Sequence, residues 1–471
     1  MLASCDTVKI SSERLAGDLE TPVSAYLKLS AAFGAGFLLE SVQGGATRGR
    51  YSVLGFLPDL VFRADENGIT TTRDEKTKKH EKPFFDTLRG LLDESRFDVP
   101  EDLPPMAAGI FGVIGYEAVR DIEKIGMAKP DPLELPKAIL MRPRLIVIFD
   151  NVRDEIIVVV IQRGAPAEDL LNQAISCLRK PISMTSEKTI KTKIEAKSSI
   201  ARSDYLGMVA KGKEYIAAGD VFQVVLSQRF ETDFNLPPFA LYRALRRTNP
   251  SPYLFYFDFE DFALAGSSPE ICVQLRGDRV TLRPIAGTIR RGVTPAEDRI
   301  NGEKLLGDQK ERAEHLMLLD LGRNDVGRVA ELGSVEVEQQ FTLEHYSEVI
   351  HIVSQVGGNL KSGLDCIDVL KAAFPAGTVS GAPKVRAMQV INELEPEARG
   401  FYAGCAGYFS ANGDMDTAII LRTGLVKDKK LYVQAGAGIV ADSIAENEQA
   451  ECEAKARALF RAAEVAQEIA S

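Results

Sequence analysis

The chain has 471 residues, with 57 Lys and Arg against 67 Asp and Glu, for a net charge of −10. At about 100–200 residues per domain this suggests roughly two to four domains, able to bury a core without metal or disulfide staples. The acidic balance excludes a nucleic-acid polyelectrolyte or a membrane-surface protein, and no apolar run reaches the roughly 18–20 residues that cross a bilayer. Met1 to Lys9 has neither the basic nor the apolar region of a secretory leader, so the sequence predicts a cytoplasmic protein. Six cysteines lie far apart with no CxxC, and read as reduced small side chains.

In chain order, the first strong signals are hairpins. VFRADENGITTTR (61–73) holds Asn67-Gly68 between alternating segments, and Asn-Gly favours a turn with φ > 0 at both central residues. RLIVIFDNVRDEIIVVVIQ (144–162) reads as strand, polar turn, strand. From Arg179 to Asp204 the chain turns to Ser, Thr and Lys, the composition of an exposed connector. A boundary at 180–203 would divide it into units 1–180 and 200–471. Beyond it come a helix over Asp204–Ala218, a hairpin in ICVQLRGDRVTLRPI (271–285), and helices over Glu297–Leu321 and Cys366–Phe374. Two more hairpins follow, GYFSANGDMDTAIILRT (407–423) with Asn412-Gly413, and GLVKDKKLYVQAGAG (424–438), before a last helix over Glu448–Ala470. Hairpins outnumber strand–helix–strand units, so the class is α+β with large antiparallel sheets.

Two loops imitate phosphate-binding motifs. Gly436-x-Gly438-x-x-Ala441 joins a strand to a helix, but no second parallel strand follows in the sequence to complete a dinucleotide fold. GTVSGAPK (377–384) has no Gly before its Lys and no Ser or Thr after it.

Paired carboxylates say more. Glu311 and Glu314 sit three apart in one predicted helix, and Glu448 and Glu451 in another. Residues i and i+3 share a helix face, so each pair points two carboxylates one way. If the helices face each other, all-oxygen ligation suits Mg²⁺; the same spacing also suits two solvated surface faces. Gly-rich turns at 283–292, 374–384 and 434–443 could present backbone N–H groups to a carboxylate, or could be simple tight turns. Arg422 ends a strand-like run, and Lys455 follows Glu451 by four residues on the same face. Of four histidines, His80 and His315 read as structural.

Taken in order, LLES (38–41), GRYS (49–52), GSSPE (266–270), PIAGT (284–288), DQKERAEH (308–315), LGRNDVGRV (321–329), HIVSQVGG (351–358), GTVSGAPK and AGAGIVADS (435–443) resemble the chorismate-utilising enzymes. Within that family the chain is most similar to the anthranilate-forming, component I branch. The resemblance implies orthogonally packed antiparallel sheets flanked by helical layers, with chorismate as substrate. It implies Mg²⁺ on Glu314 and Glu451, with Glu311 and Glu448 beside them. Lys455 and the amides of Gly436, Ala437 and Gly438 would meet the ring carboxylate. Arg422 and Tyr402 would hold the enolpyruvyl carboxylate, with Gly287 and Thr288 nearby. Catalysis would fall to His351, Glu270 and Thr378.

Two positions speak to the nucleophile within the family. Isochorismate-forming relatives place a lysine base where this chain has Gln223, and 4-amino-4-deoxychorismate synthases carry a nucleophilic lysine where it has Ala286. Direct attack by ammonia remains, with aromatisation after it; a relative that stops at 2-amino-2-deoxyisochorismate is the alternative. Ammonia would come from a separate glutamine amidotransferase subunit, in a heterodimer or heterotetramer, since no glutaminase nucleophile elbow is visible. The resemblance also implies inhibition by tryptophan, bound by Leu39, Glu40 and Ser41 together with Pro252, Tyr253 and Leu254. In that picture Glu40 takes the ammonium, and Leu39, Leu254 and Phe255 wall the indole.

Overall fold

A computed structural model describes residues 8–43, 47–163, 169–182, 194–346 and 349–469. Every strand pairing among them is antiparallel, as the hairpin count predicts. One run of strands passes through Lys9–Ala16, Glu155–Gln162, Ala138–Asp150, Tyr51–Asp65 and Gly36–Glu40. It continues through Tyr253–Asp258, Ala263–Ser268, Thr423–Lys427 and Lys430–Ile439 to Gln223–Asp233. A second run leaves Ala138–Asp150 through Gly109–Ile114, Cys405–Ser410, Met415–Ile419 and Ile271–Arg276. It ends on Arg279–Leu282 and Val349–Asn359, the latter flanked by Ile285–Arg290 and Glu336–His345. The α+β expectation holds. Part of the expected connector, residues 183–193, lies outside the described residues; strands from its two sides pair directly, Gly36–Glu40 with Tyr253–Asp258 and Gly109–Ile114 with Cys405–Ser410.

The hairpins form where expected, but their turns differ from the Asn-Gly reading. Asp65 pairs with Gly68, so Glu66 and Asn67 make the tip and only Gly68 takes a positive φ, +113°. At Asn412-Gly413 the loop is longer, Ser410 N donating to Asp414 O at 2.8 Å with Gly413 alone at positive φ. The turns with two consecutive positive φ values are Asp74-Glu75, at +43° and +64°, and Asp428-Lys429, at +51° and +59°, pairs the sequence does not advertise.

The helix expected over Glu297–Leu321 is two helices, Pro295–Gly307 and Gln309–Val329. The break is a cap: Asp308, with extended backbone, accepts from Lys310 N and Glu311 N and so starts a new helix. That cap places Glu311 and Glu314 in the first two turns of the second helix. The last helix, Ala445–Ile469, buries Cys452, Ala456, Leu459 and Ala463 in the largest apolar cluster. The neighbouring strand Lys430–Ile439 contributes Val433, Ala435 and Ala437 to that cluster. Alternation along this strand turns Gly436 and Gly438 to the other side, toward a cavity.

Candidate active site

That cavity, about 250 Å³, is lined by Glu270, Thr378, His351, Gly287, Thr288, Tyr402, Arg422, Gly436, Gly438, Lys455, Glu314 and Glu451. Residues spread over nearly two hundred positions of sequence thus converge on one site. Three expected residues do not line it. Ala437 is fully buried in the apolar cluster, because strand alternation sends it to the opposite face from its two glycine neighbours. Glu311 lies at the edge, its Oε2 accepting from Thr288 N at 3.2 Å. Glu448 is half-buried behind Glu451; burial, set against a hydrogen bond from Ser443 and reinforced by Glu451, raises its pKa.

The backbone explains the glycines. Gly287 has φ +79°, and a Cβ there would meet Ile352 at 3.1 Å and Glu311 Oε2 at 3.3 Å. At Gly436 a Cβ would stand 2.7 Å from the Tyr402 hydroxyl, so any side chain would displace the phenol.

The two helices meet the cavity with carboxylates. Glu314 Oε1 accepts from Gln223 Nε2 at 3.0 Å, and the Gln223 carbonyl is buried without a partner among the described residues. Glu451 pairs with Lys455 at 2.7 Å, and Lys455 Nζ also donates to Gly436 O at 2.8 Å. An ammonium has three donors, so one remains for a ligand. No group of three or more His, Cys, Asp or Glu among the described residues gathers within metal-binding reach. Mg²⁺ needs only one or two protein carboxylates, keeping its other positions for water and an anionic substrate.

The remaining polar groups line the same cavity. Arg422 holds a left-handed backbone, φ +47°, rare for a non-glycine residue and a mark of a constrained site. Among the described residues its guanidinium has no hydrogen-bond or ion-pair partner, although it lines the cavity and burial lowers its pKa. A half-buried cation without a counter-ion in a cavity calls for an anionic ligand. Glu270 accepts from Thr378 Oγ1 at 3.1 and 3.0 Å, and burial still pushes its pKa up to about 8. It therefore carries a proton at neutral pH. His351 shows the reverse: burial, with Arg422 nearby, holds its pKa down to about 4. Its Nδ1 lies 3.2 Å from Gly287 O and 3.0 Å from Thr288 Oγ1. A carbonyl only accepts, so Nδ1 carries the hydrogen and Nε2 keeps a lone pair.

One supporting group left only a faint sign in the sequence. Arg399 is 4% exposed, pairs with Glu395 at 2.6 Å, and donates to Val379 O and Val225 O, tying two walls of the cavity together. The only hint was the i,i+4 spacing of Glu395 and Arg399.

A second, larger cavity of about 600 Å³ collects all of Leu39, Glu40, Ser41, Pro252, Tyr253 and Leu254. Leu39 pairs with Phe255 and Glu40 with Leu254 across the sheet, which joins the two expected segments edge to edge. Glu40 differs from expectation. Its oxygens already accept from Tyr242 Oη at 2.6 Å and from Arg246 at 2.7 and 3.0 Å, so the carboxylate is committed to the helix Pro238–Thr248.

Comparison with known proteins gives the family. Residues 39–461 match the family model for chorismate binding enzymes. Anthranilate synthase component 1 of Cereibacter sphaeroides is 50% identical over 467 residues, covering 96% of this chain and 93% of that protein. The crystal structure of anthranilate synthase component I from Streptococcus pneumoniae superposes with a TM-score of 0.80 at 38% identity, over 95% of this chain and 99% of that one. The menaquinone-specific isochorismate synthase of Escherichia coli, at 20% identity, shares the fold with a TM-score of 0.74 over 97% of this chain and 95% of that one. The chain belongs to the chorismate binding enzymes, on the anthranilate synthase component 1 branch of that family.

Proposed function

We propose that this chain converts chorismate and ammonia to anthranilate, pyruvate and water in the cytoplasm, with Mg²⁺ as cofactor and tryptophan as inhibitor. The observation that carries the reading is the half-buried, unpartnered Arg422 and a protonated Glu270 in the same cavity as Glu314 and Glu451. Glu314 and Glu451 would hold Mg²⁺, which when bound neutralises the ring carboxylate. Lys455 adds its free donor to that carboxylate, and Arg422 with Tyr402 takes the enolpyruvyl carboxylate.

With the substrate so placed, ammonia bonds to C2, the double bonds shift, and the C4–O bond breaks. Glu270, held by Thr378, gives its proton to that oxygen, which leaves as water. In the second step the C2 proton is lost, the C3–O bond breaks, and the enolpyruvyl group departs to become pyruvate after taking up a proton. His351, neutral with a lone pair on Nε2, serves this elimination. Gln223 donates to Glu314 and has no basic atom to activate water, and Ala286 supplies no nucleophile, which supports ammonia over the isochorismate and 4-amino-4-deoxychorismate alternatives.

The purified chain, mixed with chorismate, Mg²⁺ and ammonium at alkaline pH, is expected to yield a fluorescent product with the mass of anthranilate. Isochorismate or a non-aromatic amine as sole product would overturn the assignment. Glutamine is expected to replace ammonium only after a glutamine amidotransferase subunit is added.

A pH profile tests the acid. Glu270 works protonated, so kcat at constant free ammonia is expected to fall as pH rises through about 8. His351 is already neutral above about 4 and adds no limb there. Glu270→Gln should lower activity and remove the break; an unchanged break in that variant would take Glu270 out of the acid role.

Tryptophan inhibition is tested at Ser41, in the larger cavity. Ser41→Phe adds a ring to the pocket wall without touching the smaller cavity. It is expected to relieve inhibition at a fixed chorismate concentration and to spare activity without tryptophan. Equal sensitivity in both forms would count against this site.

A further inference from the structure

An aromatic ring stands between the two cavities. Tyr346 is 6% exposed and lines the larger cavity but not the smaller, whereas His351 lines the smaller but not the larger. The two rings meet edge to face, centroids 5.3 Å apart and planes at 70°. Tyr346 Oη donates to Glu344 Oε2 at 2.9 Å, and the other oxygen of Glu344 accepts from Arg283 Nη2. Glu344 and Arg283 both face the larger cavity. Both also lead to the smaller one. Glu344 is the cross-strand partner of His351, and Arg283 immediately precedes Pro284 and the strand carrying Ala286, Gly287 and Thr288.

Resting on the readings of His351 and of the tryptophan cavity given above, we propose that Tyr346 is the positioning residue for His351 and the link by which an occupant of the larger cavity slows the reaction. Nδ1 of His351 is anchored to Gly287 and Thr288 on one side. The Tyr346 ring restrains the imidazole from another, and is itself fixed by Glu344 and by Arg291 Nη1, which donates to its carbonyl at 2.6 Å. A ligand that binds more tightly when Glu344 or Arg283 has turned away from Tyr346 selects the arrangement in which Nε2 is misplaced. Linkage is reciprocal, so a ligand that needs His351 in place weakens binding in the larger cavity by the same factor.

Three forms test this: the unaltered chain, Tyr346→Phe and Tyr346→Ala. The chain contains no Trp, so the fluorescence of added tryptophan reports its binding directly. Tyr346→Phe keeps the ring and loses the bond to Glu344. It is expected to bind tryptophan, while the fold inhibition at saturation falls by at least about 5-fold, the lower end of ordinary coupling. Tyr346→Ala is expected to lose about 10-fold or more in kcat with KM for chorismate within about 2-fold. More of the consumed chorismate should then leave as the non-aromatic amine, and Tyr346→Phe should restore most of the kcat. Tyr346→Phe that binds tryptophan and is inhibited as strongly as the unaltered chain overturns the coupling. A loss in Tyr346→Ala without any amine overturns the positioning role. Failure of the unaltered chain to bind tryptophan overturns the tryptophan reading itself, and the coupling with it.

Discussion

Glu451→Gln is expected to lower Mg²⁺-dependent turnover by at least about 10²-fold, near 2.7 kcal/mol of barrier, the scale of losing one key electrostatic contact. Two carboxylates reach the cavity from different helices, Glu314 from Gln309–Val329 and Glu451 from Ala445–Ile469. If these two are the Mg²⁺ ligands, as proposed, removing one charge halves the protein's share of the neutralisation, and glutamine keeps the shape while doing so. The change also frees Lys455 from its 2.7 Å partner, which by itself would strengthen binding of a carboxylate. The signature is therefore a large fall in kcat and in Mg²⁺ affinity, with the loss of chorismate binding from the weaker metal offset in part by the freed Lys455. Metal titration followed by turnover, with the fold checked by circular dichroism, reads both. Near-normal activity would remove the metal assignment. Glu311→Gln should cost less, because that carboxylate chiefly receives Thr288 N at the edge of the site.

How far the sequence disclosed this site depended on the range of the interaction. The glutamate pairs were legible because i,i+3 spacing survives any packing, and both helices do bring a carboxylate to one cavity. Their facing arrangement was not legible, since it depends on strands such as Lys430–Ile439 and Val349–Asn359 that pair across long separations. At Ala437 period-two alternation sends the side chain to the apolar cluster, away from Gly436 and Gly438 on the cavity side; the expectation of three amides concerns the backbone, which that alternation does not sort. Asp308 looked like one more acidic residue in a long helix, yet its carboxylate caps a new one. Arg422 was recognisable as a cation at a strand end. Its isolation is a property of the folded cavity, as is the burial that makes Arg399 and Glu395 a brace. The same holds for Tyr346: nothing in EHYSEVIH separates it from an ordinary core aromatic until its ring is seen against His351.

His351→Met is expected to separate the two chemical steps, lowering anthranilate output by at least about 10²-fold, within the usual range for a positioned acid–base group, while chorismate consumption continues. In the proposed mechanism the first step draws on Arg422, Lys455 and the Glu270 proton, none of which His351 holds in place by a hydrogen bond among the described residues. Among the described residues its ring bonds only to Gly287 O and Thr288 Oγ1, and it contributes a neutral Nε2. Methionine fills much of the same volume without a basic nitrogen, so the Ile285–Arg290 strand should stay in register on Val349–Asn359. The non-aromatic amino intermediate, detected by mass after rapid quenching, should then account for most of the chorismate consumed. Full anthranilate output would take His351 out of the mechanism. Loss of chorismate consumption itself would move it to the first step, beside Glu270, where its low pKa would leave it no proton to give at neutral pH.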